Sequence, residues 1–312
     1  MSYDPSKAVG FQSPDKPVSW NKRDLLLYAI GVGAKKDEFP LIYELDKSFG
    51  PLPTYPVVLT FKGDDQDTNV FTERVKSAPL PGLPPSDPNR TVHGSQSIEI
   101  LKDLPLVSGE GWKLKTRCTG ISENKSGLVI MQEQLLVDGQ GTAYAKLYSS
   151  SFGLGLKATG KPFNKFIAGP PTAKPIPKDR KPDYVIKEQT TEEQAVVYRL
   201  SGDYNSLHID PSIGKAAGFG GVILHGLSTY GFAARAIIKA VGGGEAKSLK
   251  LFGVRFTSPV KPGDELETKV WEVGPGPNGT TEVTFTTTNV ATGKASLGGG
   301  VAYVLKSEKS KL

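Results

Sequence analysis

Leu227-Ser228-Thr229-Tyr230-Gly231-Phe232-Ala233-Ala234-Arg235-Ala236-Ile237-Ile238-Lys239-Ala240-Val241, stopped by Gly242-Gly243-Gly244, is the stretch on which the fold turns. It offers about four helical turns, and apolar side chains recur on nearly every side: Leu227, Tyr230, Phe232, Ala233, Ala234, Ile237, Ile238 and Val241. A helix of that kind has to be buried on most of its faces. What can bury it follows directly in sequence. Strand-like runs cover residues 248–257, 266–273, 281–290 and 295–305, separated by turns at Lys261-Pro262-Gly263-Asp264 and Pro277-Asn278-Gly279. A twisted antiparallel sheet wrapped around one buried helix satisfies the pattern.

Upstream, apolar runs at 184–188 and 192–200 precede Asp210-Pro211, an N-cap followed by proline at the first helical position, which predicts a short helix ending at Gly218. Residues 154–183 change character, with prolines at 162, 170, 171, 175, 177 and 182, and are expected to be a linker without internal strand or helix. The first half repeats the theme. A helix is predicted over 22–30, capped by Asn21 and stopped by Gly31 and Gly33, followed by strands at 57–61, 96–101, 112–118, 128–137 and 143–152. The expected organisation is a duplicated α+β fold: one repeat over 1–153, the linker, a second repeat over 184–305 and a tail over 306–312.

A chain of 312 residues with 38% apolar and 22% charged residues has the composition of a globular protein. It contains no apolar run of membrane-spanning length, and its first residues lack the basic and apolar stretches of a secretory leader. Neither secretion nor a membrane span is expected. The net charge of +6 is spread along the chain, which argues against a nucleic-acid partner and leaves room for a polyanionic small molecule. A lone Cys118, alternating with Lys113, Lys115 and Arg117 on a strand, excludes an internal disulfide and a paired-thiolate metal site; it reads as core. The final Ser310-Lys311-Leu312 matches the tripeptide read by the peroxisomal import receptor, so a peroxisomal location and that receptor as partner are expected.

Histidine occurs three times, at 93, 208 and 225. In Ser201-Gly202-Asp203-Tyr204-Asn205-Ser206-Leu207-His208 the spacing is too irregular for one helical face, but a turn can bring Asp203 and His208 to a common point. A carboxylate and an imidazole sharing a water suit general acid–base chemistry. The same residues equally fit a polar turn beside a core histidine. Gly220-Gly221-Val222-Ile223-Leu224-His225-Gly226 opens straight into the buried helix, where the first amides lack intrahelical partners and carry the positive end of the dipole. Gly226 N–H is thus placed for a developing oxyanion, although plain loop flexibility explains the glycines taken alone.

Together, Tyr198-Arg199-Leu200-Ser201-Gly202-Asp203-Tyr204-Asn205-Ser206-Leu207-His208-Ile209-Asp210-Pro211, Ile223-Leu224-His225-Gly226-Leu227, Val254-Arg255-Phe256 and Pro259-Val260-Lys261-Pro262-Gly263-Asp264 resemble the MaoC-like, hydratase 2 family, in particular its eukaryotic peroxisomal form. Residues 24–33 and 92–98 resemble the N-terminal half of the same proteins. The resemblance implies a double hot dog fold with a non-catalytic first repeat that receives the acyl chain. It implies a homodimer, no metal and no cofactor beyond the coenzyme A of the substrate. Position by position, it implies that Asp203 and His208 are the acid/base pair, that Asn205 orients the site, and that the Gly226 amide polarises the thioester carbonyl. His93, Gly94, Lys125, Leu207 and Phe256 match positions that contact the CoA thioester, and Arg255 is added here as a phosphate partner. Ser206 stands where the family usually has proline. The implied activity is reversible hydration of a trans-2-enoyl-CoA to the (3R)-3-hydroxyacyl-CoA in fatty-acid β-oxidation. Rival readings are a dehydratase of specialised acyl thioesters, a thioesterase on the same fold, and a non-catalytic acyl-CoA-binding module.

Overall fold

The structure, a computed structural model, describes residues 3–75, 79–86 and 90–307. The first half contains β1 (Lys16–Pro17), α1 (Lys22–Gly31), α2 (Phe39–Ile42), α3 (Leu59–Lys62), α4 (Phe71–Arg74), β2 (Thr91–Ile100), β3 (Lys113–Asn124), β4 (Gly127–Val137), β5 (Ala143–Leu154) and β6 (Phe163–Phe166). The second contains β7 (Tyr184–Gln189), α5 (Gln194–Tyr198), α6 (Pro211–Ala216), α7 (Gly226–Ala240), β8 (Leu249–Phe256), β9 (Glu265–Pro275), β10 (Thr281–Asn289) and β11 (Lys294–Val304).

All the strands join one antiparallel sheet in the order β1-β3-β4-β5-β2-β8-β11-β10-β9-β7, with β6 lying on β3. The order on either side of the β2–β8 seam is the same: β2-β5-β4-β3-β1 mirrors β8-β11-β10-β9-β7. This is a duplicated α+β unit, a double hot dog, whose two sheets are fused edge to edge. The seam runs from Ser95↔Arg255 to Glu99↔Leu251. A single apolar core spans both repeats and includes Tyr28 and Leu147 from the first and Tyr230, Ile237 and Phe285 from the second. As its composition demands, α7 is buried over nearly its whole length. Cys118 is buried on β3, where burial pushes its thiol up.

The helix expected over 22–30 forms as α1. Asn21 Oδ1 accepts from the amides of Arg23 and Asp24, and Asp24 returns a bond to the Asn21 amide. The helix expected after Asp210-Pro211 forms as α6, with Asp210 capping Ser212 N–H at 2.8 Å. Two expectations fail. Residues 57–61 are not a strand: Tyr55–Val58 is a 3-10 turn that runs into α3. Val57, Val58 and Leu59 are fully buried, and a short apolar run without alternation does not tell a strand from a buried helix; the prolines at 51, 53 and 56 favour the turn. The 154–183 stretch also carries β6, whose proline-free residues pair with β3 alone at the edge of the sheet, from Gly120↔Phe166 to Glu123↔Phe163. Among the described residues, no helix is long and apolar enough to cross a membrane.

Candidate active site

After α5 the chain tightens into a 3-10 turn over Arg199–Ser201 and reverses at Gly202, which adopts φ +121°. A side chain there would be strained, and its Cβ would stand 2.7 Å from the Lys62 Cα of α3. The first repeat therefore presses against the residue before Asp203. Asp203 is buried, and one carboxylate oxygen accepts from Asn205 N–H at 3.3 Å. Asn205 in turn caps a short 3-10 turn, Ser206–His208, by accepting from Leu207 N–H at 3.0 Å. This cap orients the turn that delivers His208. Asn205 holds φ −58° and ψ 122°, the conformation a following proline requires, so exposed Ser206 at the first position of the turn follows the path that proline would set.

His208 is buried, and its Nδ1–H donates to the carbonyl of Ile223 at 2.9 Å, which leaves Nε2 as the acceptor. Burial lowers the His208 pKa and raises that of Asp203, each shift opposed by the attraction between the two. A neutral imidazole able to take a proton is the consequence. Sequence reasoning overlooked a third member, His225. It is 1% exposed, its ring stacks on that of His208 at 3.7 Å, and its Nε2–H donates to the Asp203 backbone carbonyl at 3.1 Å. Burial holds it far below the usual histidine range, with His208 adding repulsion. The signal available in the sequence was its place in Leu224-His225-Gly226, directly before an all-apolar helix.

Asp203, His208 and His225 each bring one oxygen or nitrogen within 4.8 Å of the others. The two rings stack 28° apart in plane, and each commits one nitrogen to a backbone carbonyl, His208 Nδ1 to Ile223 and His225 Nε2 to Asp203. Asp203 and His208 lie close enough to share a water.

Gly226 opens α7, one residue after His225, whose carbonyl accepts from the amides of Ser228 and Thr229. The Gly226 amide thus lies ahead of the helical ladder, at the positive end of the dipole. A Cβ on Gly226 would sit 3.1 Å from the Phe256 ring, and Phe256 packs on His93 at 4.7 Å. The β2–β8 seam in this way brings His93 and Gly94 of the first repeat to the helix start of the second. A Cβ on Gly94 would stand 2.8 Å from Ser150 Oγ, which would have to turn away from its bond to Ser95. Half-buried Leu207 lies within the catalytic turn, whereas Lys125, on the β3–β4 turn, and Arg255 on β8 stay at the surface, outside the buried cluster. Beside His208 a cavity of about 400 Å³ opens between Ala195, Val196, Ile209, Val222, Lys261 and Pro262. Ser310, Lys311 and Leu312 lie outside the described residues.

Comparison with known proteins assigns this architecture. Residues 174–295 match the MaoC like domain, and residues 18–155 match the MFE-2 hydratase 2 N-terminal domain. The "Probable enoyl-CoA hydratase 2" of Dictyostelium discoideum is 34% identical over all of both chains. The chain belongs to the MaoC-like hydratase 2 family. Its relatives in the family include "Enoyl-CoA hydratase 2, peroxisomal" of Arabidopsis thaliana, 34% identical over 84% of each chain. A crystal structure of a MaoC-like dehydratase from Phytophthora capsici superposes with a TM-score of 0.86 at 37% identity, covering 99% of this chain and all of that one.

His93 supplies a test of the environment at the hydratase 2 seam. Its Nε2 is shut in without a partner, and burial pushes its pKa down to about 4. Because the folded value lies below the unfolded one, near 6.5, the stability contributed by neutral His93 is present above pH 6.5 and is lost as pH falls toward 4. His225 acts in the same direction, while the raised Asp203 and Glu188 oppose it at the acid end. Urea unfolding at pH 7 and pH 5 is expected to show His93→Gln losing about 1–2 kcal/mol less than the wild type over that interval. Equal losses would place His93 in a solvated setting.

Proposed function

We propose that the protein reversibly hydrates trans-2-enoyl-CoA thioesters to (3R)-3-hydroxyacyl-CoA. The observation that carries this reading is the buried Asp203–His208 pair, with His208 Nε2 left as a proton acceptor, next to a helix start whose first amide belongs to Gly226. Water held by the pair attacks C3 while His208 and Asp203 take its proton. Negative charge moves to the thioester oxygen, where the Gly226 amide and the α7 dipole stabilise it, and C2 is protonated from the same face. Run backwards, the same steps dehydrate the 3-hydroxyacyl thioester, so a hydratase and a dehydratase share one site. No metal or redox cofactor enters this scheme, and coenzyme A arrives with the substrate. His93, Gly94, Lys125, Leu207, Phe256 and Arg255 are proposed to hold the CoA thioester along the β2–β8 seam.

The relative named as a peroxisomal enoyl-CoA hydratase 2 and the Ser310-Lys311-Leu312 ending support a peroxisomal place in fatty-acid β-oxidation, with the import receptor as partner. A homodimer is proposed on the family resemblance. The deciding measurement is turnover of crotonyl-CoA and decenoyl-CoA, followed by loss of the conjugated-thioester absorbance and chiral analysis of the product. Release of free thiol in place of hydration would assign a thioesterase, and no turnover of any enoyl-CoA would leave an acyl-CoA-binding module.

A further inference from the structure

The motif Asp24-Leu25-Leu26-Leu27-Tyr28-Ala29-Ile30-Gly31-Val32-Gly33 lies in the repeat without the catalytic pair, and the mechanism above does not use it. A helix leaves its last carbonyls without intrahelical partners. At the end of α1 the chain's own amides meet Tyr28, Ala29 and Ile30, through Val32, Ala34 and Gly33. The carbonyls of Gly31 and Val32 are met by the other repeat, whose Gln194 Nε2 also donates to Ile30 O at 3.2 Å. Gly31 O accepts from Gln194 Nε2 at 2.9 Å and Ser228 Oγ at 2.8 Å, and Val32 O accepts from Arg235 Nη1 at 3.1 Å. All three donors are at most 5% exposed.

The backbone around these bonds is interlocked. A Cβ on Gly31 would stand 3.1 Å from Tyr198 Cα, one on Gly33 would stand 2.2 Å from the Phe232 ring, and one on Gly231 would stand 2.2 Å from Val32. Gly31 and Gly33 stop α1, and together with Gly231 of α7 they let two elements of the second repeat close on it.

Those two elements are the ones that carry the two sides of the site. Gln194 opens α5, which leads through Tyr198 and Gly202 to Asp203, and Tyr198 packs its ring on His225 at 4.9 Å. Ser228 lies two residues after Gly226 on the first turn of α7. We propose that the Gly31 carbonyl is the common anchor that fixes the Asp203–His208 turn against the Gly226 amide, and that Gln194 and Ser228 are positioning residues for hydration. The proposal rests on the hydratase reading. Misplacement of a reacting group by about 1 Å can cost about a hundredfold in rate, so losing one of two anchoring bonds should be visible in kcat.

The test compares Ser228→Ala and Gln194→Met with Tyr28→Phe. The last removes a buried hydrogen bond to Thr54 (3.0 Å) from the same core without touching the anchor. On crotonyl-CoA, at a temperature where all are folded, the two anchor variants are expected to lose about tenfold or more in kcat with KM within twofold. Tyr28→Phe should lower Tm and keep its kcat. If the anchor variants lower Tm but hold kcat within twofold, as Tyr28→Phe does, the bonds serve the core alone and the proposal is overturned. A wild type that hydrates nothing overturns the hydratase reading instead. The anchor is then decided by NMR titration of the His208 and His225 imidazoles, which must shift in the anchor variants and stay fixed in Tyr28→Phe.

Discussion

His208→Ala is expected to lower kcat for enoyl-CoA hydration by at least about a hundredfold, and Asp203→Ala by a similar factor, the range for removing a positioned general acid or base. The nearest alternative base is a weaker one. His225 commits its Nε2–H to the Asp203 carbonyl, and burial together with repulsion from His208 holds it far below the usual histidine range. The double variant should be little worse than either single one, because the pair acts on one water and its effects do not add. Folding should survive both changes, since the turn is also built by Gly202 and by Asn205 Oδ1 accepting from Leu207 N–H, which neither variant removes, although His208→Ala gives up the bond to the Ile223 carbonyl. Progress curves on purified variants, with circular dichroism to confirm the fold, decide the matter. Activity within a few fold of wild type in either single variant would reject the assignment.

Gly202→Ala ranks second in expected effect, although alanine removes no catalytic group. At φ +121° the new Cβ is strained and meets Lys62 of the first repeat at 2.6–2.8 Å. The turn must back away, carrying Asp203 with it. A stability loss of about 1–3 kcal/mol is expected from the backbone conformation, together with about a hundredfold in kcat from displacement of the pair. Gly218→Ala is the matched comparison, because φ is +83° there but nothing lies within 4 Å of the added atom. It should lose stability and keep kcat. Equal kcat in both variants would show that the contact with Lys62 does not set the turn.

Much of this was legible in the sequence for a simple reason. The strands of both repeats alternate or carry β-branched residues, and α7 is apolar on all sides, so period and composition agree. Asp203, His208 and Gly226 stood out because rare residues met turn and helix-start chemistry. Other parts carried weaker signals. Residues 55–59 form an uninterrupted apolar run that serves a buried helix as well as a strand, and β1 and β6 are too short to show a period. His225 looks like any buried histidine until its stacking on His208 is seen. Gly31 and Gly33 read correctly as helix stops, but the rings of Tyr198 and Phe232 that exclude a side chain there come from more than 160 residues away, where local pattern cannot reach.

The edge-to-edge fusion of β2 with β8 also changes what the peptide chain itself contributes. The repeats share five register pairs, one apolar core and three side chains that finish α1, so the covalent passage through residues 167–183 is only one tie among several. A chain severed in that passage by limited proteolysis is therefore expected to run as one species on size exclusion and as two pieces only after denaturation.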